Sequence, residues 1–325
     1  MKKLAFGLSL LLGLGFGESL GEMGAIASAQ TEISENHSEA INSPVSVVLI
    51  EAGEGEKQEL RLRPEVGETQ TLNMSIQMNI ETFFGGMSMP SIPDVTTTLT
   101  IESVVTDVKE NGDIQAEFIY TNTAVLPSET VEIPPEVIEE MNAKIATLIG
   151  TKGIILLDNR GLTKSLNIEV SEDIDPLVEN TVDQLLINSF ENMSSPLPEE
   201  AVGVGAVWQI EQDVNLNGLE LDQTAVYTLE NRTEDTVTLS MIIEQTAEEQ
   251  QFTPWGLPAE MAVDLVSLES TGTGDFTMNL TQLFPVEAAM NLVTRSQMNL
   301  PNLEENATTS MRTNTEMDLM MMSGN

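Results

Sequence analysis

The sequence predicts a mostly β (α+β) protein: a long curved antiparallel sheet or half-barrel, with two meanders suggesting a pseudo-repeat, packed on two helices. Three observations predict it. Met74, Ile76, Met78 and Ile80 alternate with Asn73, Ser75, Gln77 and Asn79, and side chains leave a strand on opposite faces with period 2. The same alternation returns at Met311, Thr313, Thr315, Met317, Leu319 and Met321, set against Arg312, Asn314, Glu316 and Asp318. Asn111-Gly112 and Asn217-Gly218 sit between alternating runs. Asn-Gly there is the strongest short-range hairpin signal, because both central residues of a type I′ turn need positive φ.

Taken in chain order, residues 1–29 read as a signal peptide. Lys2 and Lys3 precede an apolar run, Leu4 to Phe16, and Ala27-Ser28-Ala29 forms a small-residue cleavage site before Gln30. That run is shorter than the roughly 20 residues a spanning helix needs, and no Cys follows it for lipid attachment. The expectation is an exported protein, periplasmic or extracellular, that does not span a membrane. Residues 30–55 read as a linker with a short strand, Val45 to Ile50, and Glu51 to Lys57 as a loop around Gly53 and Gly55.

A single β-rich domain is expected over 56–325, with halves at about 59–170 and 197–322. In the first half, strands at 69–82, 95–109 and 113–121 form a meander behind Val66-Gly67. In the second, Trp208, Ile210 and Val214 lead through Asn217-Gly218 to Leu221, Ala225, Tyr227 and Leu229, then to Val237, Leu239, Met241 and Ile243. Helices are expected at about 136–149, where Val137, Met141, Ile145 and Leu148 share a stripe, and at about 173–193, where Leu177, Val178, Val182, Leu185 and Leu186 do so. A hairpin between them turns at Asn159-Arg160-Gly161. Further strands follow at 263–270, 272–280, 288–300 and 308–322. The longest strands would extend roughly 40–50 Å at about 3.4 Å per residue. Sheets this long coil, and wrapping over two helices would bury their apolar faces.

Composition removes most chemistry. The chain has 13 Lys+Arg against 52 Asp+Glu, a net charge of −39, which repels nucleic acid and anionic membranes. The acids are spread without blocks and read as solvation, with cation binding left open. No Cys is present, so thiol nucleophiles, thiolate metal sites and disulfides are excluded. The one His, His37, falls in the linker, which argues against a Ser-His-Asp triad or a His-ligated metal. Asp107 to Asp113 lacks the spacing of an EF-hand loop, and Gly85-Gly86 lacks the Lys of a phosphate cradle. The 18 Met could offer thioethers to Cu(I), but no second ligand type stands beside them, so packing explains them better. No enzyme activity, catalytic residue, cofactor or metal is expected.

Glu59-Leu60-Arg61-Leu62-Arg63-Pro64-Glu65-Val66-Gly67, Gly161-Leu162-Thr163-Lys164 and Pro198-Glu199-Glu200-Ala201-Val202-Gly203-Val204-Gly205-Ala206-Val207-Trp208 resemble markers of a family of exported bacterial proteins of unknown function, of planctomycete and cyanobacterial type. The resemblance spans about 45–322 and implies export and a β-rich envelope protein. In outline the architecture is also similar to lipoprotein-carrier folds, open half-barrels with a greasy concave face.

The leading expectation is a non-enzymatic envelope protein that binds an apolar, lipid-like ligand on its concave sheet. Met74, Met78, Leu99, Phe118, Trp208 and Tyr227 would line it. Phe83 and Phe84 would join from the uncharged loop 83–93, acting as lid or contact patch. The alternative is a structural or protein-interaction module of the cell envelope with a filled core, its partner another envelope protein. Oligomeric state is left open.

Overall fold

Alternating sequence makes the strands, and all the described ones join one antiparallel sheet. The structure, a computed structural model, describes residues 38–40, 45–89, 95–127, 133–169, 196–216, 218–253, 262–302 and 307–324. The strands are β1 (Ser38–Ala40), β2 (Ser46–Gln58), β3 (Thr69–Phe84), β4 (Met87–Ser88), β5 (Val95–Val108) and β6 (Ile114–Pro127). After helix α1 (Pro135–Ile145) come β7 (Lys152–Leu157), β8 (Thr163–Glu169), β9 (Val202–Leu216), β10 (Leu219–Arg232), β11 (Thr236–Ala247), β12 (Gln250–Phe252), β13 (Val263–Asn279), β14 (Glu287–Asn302) and β15 (Ala307–Gly324).

The strand order is β1-β8-β7-β6-β5-β3-β15-β14-β13-β11-β10-β9-β2, with β4 on β3 and β12 on β13. Both expected meanders are present, as β3-β5-β6 and β9-β10-β11. They are joined through β15, β14 and β13, and the two Met-rich strands meet at β3–β15: Met78 lies opposite Met317, and Met74 opposite Met321. The sheet is open, yet its two end strands, β1 and β2, are neighbours in the chain. From Ala40 to Ser46 the backbone can reach at most about 21 Å, so the sheet is curled until its ends approach. At the rim where β3 begins, the Leu197 N–H donates to the Arg160 carbonyl at 2.9 Å, joining the lead-in of β9 to the β7–β8 turn.

A strap, residues 59–68, crosses that rim. Leu60 and Leu62 are buried, while Arg61 and Arg63 point outward and grip carbonyls. The Leu62 N–H donates to Asn159 at 2.7 Å, and the Arg63 N–H to Leu280 at 2.7 Å. Arg61 donates to the carbonyls of Pro198 at 2.9 Å and Glu199 at 2.6 Å. Arg63 pairs with Asp235. One contiguous core then joins the strap leucines to Val105 and Ile114 on one flank and to Trp208, Tyr227 and Leu239 on the other.

The helices are where expectation and structure part. The expected helix at 136–149 exists as α1 followed by a 3₁₀ turn, Ala146–Leu148. The other, at 173–193, lies outside the described residues. Among the described residues there is one α-helix, and it does not underlie the sheet. It flanks β6, where the Asn142 side chain accepts from the Val125 N–H at 2.8 Å and donates to its carbonyl at 3.2 Å. Only Ile145 of α1 is buried. Where two helices under the sheet were expected, the described residues show one short helix at the flank of β6, and the described core is built mainly from strand and strap side chains.

Three local readings also change. The stretch 51–57, read as a loop, continues β2: Gly53 lies in regular register between Ala52 and Glu54, and Gly55 falls in the register shift between Glu54 and Gln58. A Cβ on Gly53 would stand 2.2 Å from the Gly203 carbonyl oxygen, so glycine permits that close crossing. Strands 263–270 and 272–280 are one strand, β13; Gly272 stays in it where a Cβ would meet the Asn291 carbonyl at 2.5 Å. Asn111-Gly112 is not a two-residue turn. The Gly112 N–H donates to Lys109 and the Lys109 N–H to Asp113, closing a longer loop with Gly112 at φ 85°. Two-residue connections lie at Gly85-Gly86, φ 57° and 83°, between Phe84 and Met87, and at the expected 217–218 position, where Leu216 pairs with Leu219.

Candidate functional site

With strands this regular, function has to be sought on a face. Outward positions carry the charge: Glu81 on β3, Asp222 and Glu230 on β10, Glu269 and Asp275 on β13, Glu316 and Asp318 on β15 are exposed. On β3, β5, β6, β9, β10, β11, β13, β14 and β15, the inward positions with described side chains hold one charged residue, Arg232, which lies opposite Val237 at the rim end of β10 and donates to the carbonyls of Val202 and Glu56. A barrel facing lipid needs an outward apolar band, and this sheet has the reverse polarity. No helix among the described residues is long and apolar enough to cross a membrane.

The inner face is layered. Nearest the strap lie two apolar clusters. One contains Trp208 and Tyr227, stacked with centroids 5.6 Å apart and an interplanar angle of 11°. The other contains Met74, Phe118 and Tyr120, with Leu99 packed against it. At the far end a third cluster gathers Val214, Leu221, Phe252, Leu265, Met298 and Met311, with Phe84 against it. The expected ligand-lining residues are thus divided rather than gathered. Trp208 and Tyr227 share one cluster, Met74, Leu99 and Phe118 another, and Phe84 belongs to the third. Phe83 faces away from Phe84 by strand alternation and is half-buried. Met78 is inward and half-buried, opposite Met317.

The degree of cover differs along the sheet. On β9, β10 and β11 the inward Trp208, Ile210, Tyr227, Leu239 and Met241 are all buried. On the central strands β5, β3, β15 and β14, the inward Leu99, Ile76, Met78, Met317, Leu319 and Met290 are only half-buried. An apolar band at the centre of the face is incompletely covered.

One inward feature was missed by reading strands singly. Gln212, Gln223, Gln245, Ser270, Thr294 and Thr315 lie opposite one another, pair by pair, across six adjacent strands. They form a polar row between the Trp208 cluster and the far cluster. Gln245 donates to the Gln223 side-chain oxygen at 2.6 Å, and the Ser270 and Thr294 hydroxyls are 2.7 Å apart. One step along β15, Thr313 is 2% exposed and its hydroxyl has no partner among the described residues. Each residue's signal in the sequence is a single polar interruption of an apolar phase, and only the register lines them up.

Titratable groups stand elsewhere. The Asp113 carboxyl is held below the usual carboxylate range, first by its hydrogen bond from Lys164 at 2.5 Å, against some opposition from burial. Burial pushes the Tyr120 hydroxyl up. Among the described residues no group of three or more His, Cys, Asp or Glu is placed to hold a metal ion.

Comparison with known proteins adds little chemistry. Residues 172–284, less than half of the chain, match the model of a family of unknown function (DUF6263). No curated protein matches the sequence. Among solved structures, lipovitellin, described for its lipid–protein interactions, is similar at a TM-score of 0.42 and 9% identity over 80% of this chain. The match spans only 25% of the lipovitellin chain. A mutant Rh. blastica porin is similar at a TM-score of 0.22 and 9% identity, covering 77% of this chain and 99% of the porin. Acinetobacter baumannii OccAB2 follows at 0.18 and 6%, covering 79% and 98%.

Proposed function

We propose that this chain is an exported, non-enzymatic binding protein that holds an apolar, lipid-like molecule against the inner face of β5, β3, β15 and β14. The observation that carries the reading is the uneven cover of that face. A protein that used it only as core would gain about 25 cal/mol for each Å² of apolar surface it sealed, yet Ile76, Met78, Leu99, Met290, Met317 and Leu319 stay half-buried. Methionine suits such a surface, since its unbranched thioether adapts to ligands of differing shape. Export is supported by the basic start, apolar run and small-residue site of residues 1–29.

Solvent extraction of natively purified protein should release an apolar compound, and the emptied protein should bind Nile red. Met317→Glu, which puts a charge in the band, should abolish dye binding. Absence of both extractable compound and dye binding in the unaltered protein defeats the proposal. A second reading, an interaction module of the envelope, is favoured by the Gly85-Gly86 hairpin, which presents Met87 at 71% exposure. In that case Met87→Ser should weaken capture of an envelope protein and leave dye binding unchanged.

A further inference from the structure

We infer that the ligand is a neutral amphiphile, an acyl chain carrying an uncharged hydroxyl-bearing head, and that the polar row on the inner face is its head-group site. The inference rests on the apolar-ligand reading above. On β15 the inward residue next to Thr315 is Met317, about 6.8 Å away along the strand, so row and apolar band adjoin. A chain lying along Met317 and Met78 would bring its head to Thr315, Thr313 and Thr294.

The row is built to hydrogen-bond, and the hydroxyl beside it on β15, that of Thr313, has no partner among the described residues. Gln70, an inward glutamine at the rim, shows what a purely structural one looks like. Its amide donates to the Phe284 carbonyl at 2.9 Å and the Ser323 hydroxyl at 2.7 Å, and its oxygen accepts from the Phe284 N–H at 2.9 Å. Gln70 is satisfied and pins the β13–β14 connection. Thr313 differs. Buried polar side chains are nearly always paired, and its hydroxyl is nine-tenths and more buried with no partner among the described residues. Other buried polar atoms share that condition, on Thr123, Thr151, Asn167 and Trp208, but Thr313 stands beside the row. Gln245 and Thr294 are only half-buried, so the row is not sealed.

The absence of charge selects the head. Amides and hydroxyls can donate to and accept from a glycerol or alcohol group. A carboxylate would meet no cation in the row, since the one inward cation of these strands, Arg232, is at the rim and donates to the carbonyls of Val202 and Glu56, and an unpaired charge in such a setting is strongly disfavoured. A cationic head would likewise find no carboxylate inside. On these strands the acids with described side chains are on the outward side, where they also repel an approaching anion.

The test is calorimetric titration of the full chain with monolaurin and with laurate, at about pH 8 so that the laurate carboxyl is ionised. About 0.5 M salt screens the outer charge. Monolaurin should bind at least about tenfold more tightly than laurate. Thr313→Val should weaken monolaurin about fivefold while leaving the melting temperature equal or higher, because no hydrogen bond within the described protein is lost. Laurate binding as tightly as monolaurin overturns the neutral-head assignment and leaves the apolar-ligand reading standing. Monolaurin binding unchanged by Thr313→Val also overturns the row as head-group site. If neither compound binds, both readings fall together.

Discussion

Asp113 shows how much one side chain can anchor. It receives a hydrogen bond from Lys164 of β8 at 2.5 Å and another from Asn111 at 2.9 Å, tying β8 to the β5–β6 turn across β7. Its folded pKa is depressed, so its contribution is present above the unfolded value of about 3.9 and is lost as pH falls through the folded value. Asp113→Asn should therefore destabilise the protein at about pH 7 by about 1 kcal/mol or less, since Lys164 is part-exposed and screened. The difference from the unaltered protein should shrink as pH falls below the unfolded value and through the folded one; urea midpoints followed down in pH check it. Single residues were readable from sequence where one environment dictates them. Trp208 stands in the apolar phase of its strand with Ile210 and Val214, and it is inward and 1% exposed. Thr313 was not readable, because a hydroxyl in an apolar phase gains its meaning from neighbours on β3 and β14.

Among the elements, the strap at 59–68 carries the most for its length. Its alternation of leucine and arginine looks like a short strand, but each leucine enters the core and each arginine binds backbone oxygens of a different connection. Leu60→Ala should cost about 2–5 kcal/mol through lost burial and the cavity left behind. Arg61→Lys should cost about 1 kcal/mol, because an ammonium cannot span two carbonyls as the guanidinium fork does. Chemical denaturation measures both, and Arg61→Lys should also speed amide exchange at Leu62. The sequence marked this segment only as a family signature. The alternation does not reveal a strap, since its partners are the turns at 158–162, 196–200, 233–235 and 279–286, brought together only by the finished sheet. Helix α1 was readable for the opposite reason: its stripe and its leading prolines are local. Its position beside β6 was not, as it depends on Asn142 meeting the edge of Val125.

At the scale of the whole molecule, polarity is sorted by face: the chain carries a net charge of −39, and the acids with described side chains on the long strands point outward. Folding concentrates like charges, so raising salt from about 0.02 M to about 0.3 M should raise the melting temperature, the steepest gain coming where the Debye length shrinks from about 20 Å to below 10 Å. A melting temperature that falls over that range would contradict this distribution of charge. The two Met-rich alternations announced the sheet in the sequence, but not that they pair with each other, because strand order across so long a chain leaves no local trace. That pairing governs how the protein can be made. Strand β3 is among the first long strands to emerge from the ribosome, yet one of its edges finds its partner only when β15 arrives, after every strand from β5 to β14. Until then it presents an unpaired row of backbone donors and acceptors, the feature that templates aggregation. Such a late, distant contact makes folding slow. A chain destined for export would profit from that delay, staying unlocked until its last strand has been delivered.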